Sequence, residues 1–269
     1  MPPMPRARTI VVASLAVLLT ACASSATTTA LWKGYADHPP GYLAAGEGPV
    51  ALAWLPPPPD PASPRGLADA FAFSATRALK DGPRWSLAAR DAEVYTPDAA
   101  LSAFACALDA DIRPATTPAL ARLLGRLPTD IDSLQAGAKK HYGRKRPFVA
   151  LGGPICVPEE PWLRPSGSYP SGHSATGWAW ALILAQLAPD RAAPVLARGA
   201  AFGDSRVICG VHYPSDVEAG RQTGAALVAV LQSRPDFQAD LDRARAELAA
   251  ARKVAPRPDC AAETAALAR

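Results

Sequence analysis

Aromatic side chains are scarce in this chain, at 7% of 269 residues, and β-branched side chains are few beside an abundance of alanine. That shortage argues against a sheet and favours helices. No apolar run approaches the roughly 20 residues that a bilayer-spanning helix needs. Charge of one sign is lacking too. The formal net charge of +4 falls to +2 once Arg6 and Arg8 leave with a targeting segment, too little for general nucleic-acid affinity. No Cys or His spacing makes a zinc site, and there are only four histidines.

Nearly half the residues are hydrophobic, enough for a sizeable core without metal staples. Residues 1–21 carry Arg6 and Arg8, the apolar run Ile10 to Leu19 and then small residues, the order of a secretory signal. Leu19-Thr20-Ala21-Cys22 resembles a lipobox, which predicts lipidation of Cys22 and a flexible tether after it. Ordinary cleavage near Ala23 or Ala26 is the other reading. Both predict export, to the periplasm or cell envelope, with or without a lipid anchor. Setting Cys22 aside leaves Cys106, Cys156, Cys209 and Cys260, an even number in an oxidising compartment with three pairings open. Cys156 and Cys209 flank two motifs described below, which favours that bridge, with Cys106–Cys260 closing the tail. In the loop-entropy view the 156–209 bridge removes roughly 4 kcal/mol of unfolded-state freedom.

The expected fold is all-α, a single-domain helical bundle. Residues 1–21 form the signal and residues 22–60 a tether and Pro-rich arm ending in Leu55-Pro56-Pro57-Pro58-Pro59, extended and packed over the domain. Residues 61–254 form the helical domain and 255–269 a C-terminal tail. Helices are predicted over 65–80, 83–93, 98–109, 116–126, 129–142, 173–188, 192–204, 215–232 and 236–253. Ala175 to Ala188 and Gly224 to Leu231 lack a polar face and belong at the centre of the bundle.

Three ordered blocks carry chemistry. Lys139 and Arg146-Pro147 come first, in a basic run whose ordinary fate is a solvated helix end. Seven positions separate the two cations, about two helical turns, so a persisting helix puts both on one face. Pro170-Ser171-Gly172-His173 comes second, directly before the buried helix. Ser171 suits an N-cap with a hydroxyl to spare, and Gly172 lets backbone approach an anion at the helix N-terminus. Ser205-Arg206 with His212 and Asp216 come third. Arg206, Arg146 and Lys139 could together surround the oxygens of a phosphate group. Asp216, four residues after His212, can reach back to one imidazole nitrogen and fix its tautomer, or simply cap the helix that Pro214 opens. The freed nitrogen suits attack on phosphorus, and His173 suits delivery of a proton to a departing alkoxide. Of the other histidines, His38 lies in the arm, and His141 ranks below these two.

The pattern Lys-x6-Arg-Pro, Pro-Ser-Gly-His and Ser-Arg-x5-His-x3-Asp resembles that of the phosphatidic-acid phosphatase type 2 superfamily, which includes vanadium haloperoxidases. Gly167-Ser168-Tyr169-Pro170-Ser171-Gly172-His173, the Leu-Pro-Pro-Pro-Pro arm and Ser205-Arg206-Val207-Ile208-Cys209-Gly210 are similar to class A bacterial non-specific acid phosphatases. The resemblance covers roughly residues 50–253. It implies an all-helical enzyme that hydrolyses small-molecule phosphomonoesters of many kinds, with no metal or other cofactor, and that often forms homo-oligomers. By the same resemblance Lys139, Arg146, Ser171, Gly172 and Arg206 bind phosphate, His212 becomes phosphorylated, His173 is the acid and Asp216 orients His212. It also supports the Cys156–Cys209 bridge. A lipid phosphate phosphatase, a vanadium haloperoxidase and a non-enzymatic phosphate-binding lipoprotein are the competing readings.

Overall fold

A computed structural model describes residue 1 and residues 39–96, 98–254 and 257–268. The signal segment beyond Met1, Cys22, the tether as far as residue 37, and His38 lie outside the described residues. The fold is all-α, and no strand is found among the described residues. Its helices are α1 (Pro64–Thr76), α2 (Pro83–Arg90), α3 (Ala99–Leu108), α4 (Pro118–Tyr142), α5 (Pro147–Ala150), α6 (Gly172–Leu187), α7 (Ala192–Ile208), α8 (Pro214–Leu231), α9 (Pro235–Ala251) and α10 (Ala261–Leu267). Six of them begin with proline, at α1, α2, α4, α5, α8 and α9. Proline suits the first helical position because the N–H it lacks would have no partner inside the helix. The prolines that punctuate the alanine-rich runs are therefore helix starts.

Helix α6 occupies the centre, packed against α4, α7 and α8. Its Trp180, Ile183 and Leu184 are buried beside Phe202, Leu227 and Leu231. Close approach of α8 to α6 depends on two glycines one turn apart. A Cβ at Gly220 would stand 2.3 Å from the Ser171 carbonyl oxygen, and one at Gly224 would stand 2.3 Å from that of Ala175. This contact sets the start of α8 beside the start of α6, where the second and third motifs lie. Helix α9 covers the outer side of α4.

Two segments read from the sequence as separate helices, 116–126 and 129–142, are one helix of 25 residues that passes through Pro128. Proline inside a helix removes one N–H donor and strands the carbonyl four residues earlier. Here that carbonyl belongs to Leu124, and the indole Nε1 of Trp180 on α6 donates to it at 2.9 Å. Helix α7 runs on to Ile208, carrying Ser205 and Arg206 in its last turn.

Two helices have no counterpart in the sequence reading, α5 and α10. Helix α10 lies in the segment expected as a tail, docked on α2. It is fastened by a Cys106–Cys260 disulfide and by Glu263, which accepts from Arg198 Nε at 3.2 Å. The second disulfide joins Cys156 to Cys209. Both expected pairings are therefore present. The proline arm packs over the domain as expected: Tyr169 donates its hydroxyl to the Pro56 carbonyl at 2.7 Å, and Leu55 is buried with Ala138 and Ala219. No helix among the described residues is long and apolar enough to cross a membrane.

Candidate active site

Helix α4 stops at Gly143, which takes the left-handed conformation (φ 51°) and returns its N–H to the Lys139 carbonyl at 3.1 Å. Lys139 and Arg146 therefore do not share a helix face. Arg146 reaches the site from the N-cap position of α5. In the intervening extended stretch Arg144 and Arg146 turn to different partners, while Lys140, His141 and Lys145 are exposed. The basic run is thus partly the solvated helix end that such runs usually are, with Lys139 and Arg146 turned inward.

Six predicted residues line one cavity of about 300 Å³: Lys139, Arg146, Gly172, His173, Arg206 and His212. Tyr95, Asp132 and the half-exposed Trp162 stand around them. A larger cavity, about 890 Å³, lies beside α10 and contains none of these six residues. Ser171, the one predicted phosphate ligand not among the six, is fully buried as the N-cap of α6. Its hydroxyl accepts from the Ser174 N–H at 3.3 Å, and its own N–H donates to the Asp216 carbonyl at 3.0 Å. Ser174 Oγ donates to the Val217 carbonyl at 2.7 Å, a further tie between α6 and α8.

The cations differ in how they are held. Arg146 donates to Ser166 and, through Nη1, to the Val211 carbonyl at 3.0 Å. Lys139 donates to the Gly167 carbonyl at 3.0 Å. Arg206 is buried, yet its Nε and Nη1 find no acceptor among the described residues. A buried guanidinium with unsatisfied donors is costly unless an anion meets it. Burial, reinforced by Arg146, pushes Arg206 down to about 10 and Lys139 down to about 7.

His212 is buried, with Nε2 3.1 Å from Arg146 Nη1. A guanidinium only donates, so this Nε2 is the lone-pair nitrogen and Nδ1 carries the proton. Nδ1 lies 3.4 Å from Ser168 Oγ and 3.5 Å from Asp216 Oδ2. The expected direct hydrogen bond from Asp216 to the imidazole is therefore not made; 3.5 Å is beyond hydrogen-bond range. The reason is competition. Asp216 accepts from the Tyr213 N–H at 2.8 Å, capping α8, and also from Ser168 Oγ and Arg144 Nη1. Of the two jobs that its spacing allowed it performs the cap, and it stands beside the imidazole without bonding to it.

His173, in the first turn of α6, donates Nε2–H to the Ala92 carbonyl at 2.8 Å, so its Nδ1 is the nitrogen left to exchange a proton. Both histidines are held well below their ordinary value, first by burial. Arg146, Lys139 and Arg206 add to the effect at His212, and Arg206 leads the other charges at His173. Both imidazoles are consequently neutral at neutral pH.

The sequence reading passed over Arg144, Asp91 and the role of Ser168. Asp91 forms a two-pronged ion pair with Arg198 and accepts from Ser205 Oγ, beside Arg206 and next to the Ala92 that holds His173. Ser168 lay within the quoted Gly-Ser-Tyr-Pro-Ser-Gly-His run. Arg144 and Asp91 gave no local signal.

The fold and the cavity define a helical protein that gathers buried cations and neutral histidines around one cavity. Residues 121–238, spanning all but the first residues of α4 through the start of α9, match the PAP2 superfamily. The chain is 44% identical over 210 residues to an acid phosphatase of Zymomonas mobilis, covering 77% of this chain and 79% of the relative. It is 45% identical over 197 residues to a non-specific acid phosphatase of Salmonella typhimurium, covering 72% and 78%. With the non-specific acid phosphatase of Providencia stuartii the identity is 36% over 244 residues, 86% of this chain and 97% of the relative. The chain belongs to the PAP2 superfamily.

Proposed function

We propose that this chain is an exported acid phosphatase that hydrolyses a broad range of small phosphomonoesters, without a metal, through a phosphohistidine on His212. The observation that carries this reading is the unsatisfied guanidinium of Arg206, which faces the same cavity as a lone-pair nitrogen of His212. The phosphate would lie among Lys139, Arg146 and Arg206, near the N-terminus of α6, where backbone dipoles favour an anion. His212 Nε2 attacks phosphorus, and the bond from phosphorus to the ester oxygen breaks. His173 Nδ1 hands its proton to that oxygen, so the leaving group departs as a neutral alcohol. Water then attacks the phosphohistidine, His173 takes its proton, the N–P bond breaks and inorganic phosphate forms.

The scheme needs His212 neutral and His173 protonated. A bound phosphate dianion supplies negative charge that offsets the three cations and lets His173 take up a proton at acidic pH. Export would follow the signal over residues 1–21, with Cys22 lipidated and the enzyme held at the cell envelope. The test is hydrolysis of p-nitrophenyl phosphate between about pH 4 and 8, with chelator and with vanadate, on protein lacking the signal. Persistence with chelator, loss with vanadate and an acid-trapped phosphoenzyme that vanishes in His212→Ala are the expected results. Normal turnover by His212→Ala would overturn the mechanism. Faster turnover of phosphatidic acid than of the aryl ester would favour a lipid substrate instead.

A further inference from the structure

Behind Asp216 stands a buried ionic cluster built from three separate parts of the chain. Arg144, in the stretch after α4, places Nη1 on Asp216 Oδ1 and Nη2 on Asp69 Oδ2, the latter at 2.7 Å. Asp69 comes from α1 and is 2% exposed; Asp216 is fully buried. Ser215 ties the two ends together. Its N–H donates to Asp69 Oδ1 at 3.0 Å, its hydroxyl donates to Asp69 Oδ2, and it accepts from Arg144 Nη1 at 2.7 Å. The Arg144 carbonyl accepts from the Ser168 N–H at 2.8 Å, and Ser168 Oγ donates to Asp216 Oδ2. Arg144 thus grips one oxygen of Asp216 directly and governs the other through Ser168. The Arg144 guanidinium also lies 4.2 Å over the ring of Tyr213, next in the chain to His212.

We propose that Arg144 and Asp69 are positioning residues for His212, acting through Asp216: Arg144 fixes and partly neutralises that carboxylate, and Asp69 sets how much of the Arg144 charge it receives. The inference rests on the reading of His212 as the nucleophile. It reaches beyond the family segment, because Asp69 lies outside residues 121–238. The charged and titratable groups facing His212 are Asp216 from α8, Lys139 from α4, Arg146 from the stretch before α5, Arg206 from α7 and His173 from α6. Asp216 is the anion beside the ring, while Asp132 of α4 lines the same cavity, so whatever tempers the charge of Asp216 tempers the balance at His212. Unmoderated, Asp216 would favour the imidazolium, which cannot attack phosphorus. Fully neutralised, it would leave the three cations unopposed.

The opposed charges give opposed predictions. Arg144→Gln removes the positive neighbour of Asp216 and should move the acid limb of kcat/KM up by about half a pH unit or more. Asp69→Asn keeps an acceptor for Ser215 but frees the Arg144 charge for Asp216, and should move that limb down by a similar amount. Each variant should also lose roughly tenfold in kcat, the scale of outer-sphere supports, with a smaller change in KM. Thermal melting of both variants establishes that they fold. Asp69→Asn serves alone should Arg144→Gln not fold, since a downward shift is not the signature of general damage. Acid-quenched phosphoenzyme is trapped from the parent and from each variant. Limbs that coincide with the parent, or that move in one direction together, would overturn the proposal while trapped phosphoenzyme leaves His212 in place as nucleophile. Absence of phosphoenzyme in the parent would instead overturn the reading beneath it.

Discussion

Lys139 carries the pH signature best suited to measurement in the cavity. Burial and the neighbouring Arg146 push it down to about 7, against the pull of Asp216 and Asp132. The site therefore sheds one of its three cations as the pH passes about 7, and a bound phosphate would have to restore that proton. KM for a phosphomonoester should accordingly climb above about pH 7. Lys139→Arg supplies a charge that persists through this range, so its KM should stay flat even if its kcat falls. Steady-state kinetics from about pH 6 to 9 read the contrast; parallel KM profiles for the two proteins would remove Lys139 from phosphate binding. How much of this was legible in the sequence depends on the residue. Lys139, Arg146, Gly172, His173, Arg206 and His212 were, because residue type and spacing alone suggested one anion site. Arg144 was not, because its partners Asp69 and Asp216 lie 75 and 72 residues away and only folding brings them together. The same holds for Asp91, whose value comes from Arg198, 107 residues further along.

Among elements, the α6–α8 contact does most to assemble the site, because it sets His173 against the turn that carries His212 and Asp216. Gly220 allows it by letting α8 lie on the Ser171 carbonyl. Gly220→Ala would bring a methyl group to 2.3 Å from that oxygen, an impossible distance, so the helices must part. Overpacking of this kind costs about 1–3 kcal/mol. The same displacement should reduce kcat more than the stability loss alone would at a temperature where the variant is folded. Circular dichroism melts and kinetics below the transition measure the two effects. A variant destabilised but catalytically normal would mean that the contact serves stability only. Helices α6 and α8 were readable because their apolar runs have a start signal each, Ser171 and Pro214. The continuity of α4 was not readable. Pro128 is locally a helix breaker, and the donor that repairs the Leu124 carbonyl sits on another helix. Nor was α10, only seven residues long. So short a helix is unstable alone and exists here through its disulfide and the Arg198–Glu263 pair.

At the scale of the whole molecule, the cost of keeping the cavity cationic and its histidines buried falls on stability at acidic pH. His173 and His212 are held neutral well below the ordinary imidazole value, so below about pH 6.5 the unfolded chain takes up protons that the folded protein refuses. Stability is then fully present above that pH and is lost as the pH falls, by up to about 1.4 kcal/mol per pH unit for each histidine. Asp130 works the other way. Burial raises it to about 6, although it accepts the Tyr42 and Leu43 N–H groups of the arm. The folded protein therefore holds that proton more tightly between about pH 6 and 4, which offsets roughly one histidine. The other histidine remains uncompensated, so the melting temperature should fall between about pH 7 and 5. An oxyanion in the cavity offsets the surrounding cations and so eases protonation of His173. Saturating inorganic phosphate should therefore raise the melting temperature more at pH 5 than at pH 7, because binding stabilises the folded state in proportion to its affinity under each condition. Thermal melts at the two pH values, with and without phosphate and with the disulfides kept oxidised, decide it. An equal gain at both would mean that phosphate binding is not coupled to proton uptake by the cavity, and that His173 is not the group that answers the anion.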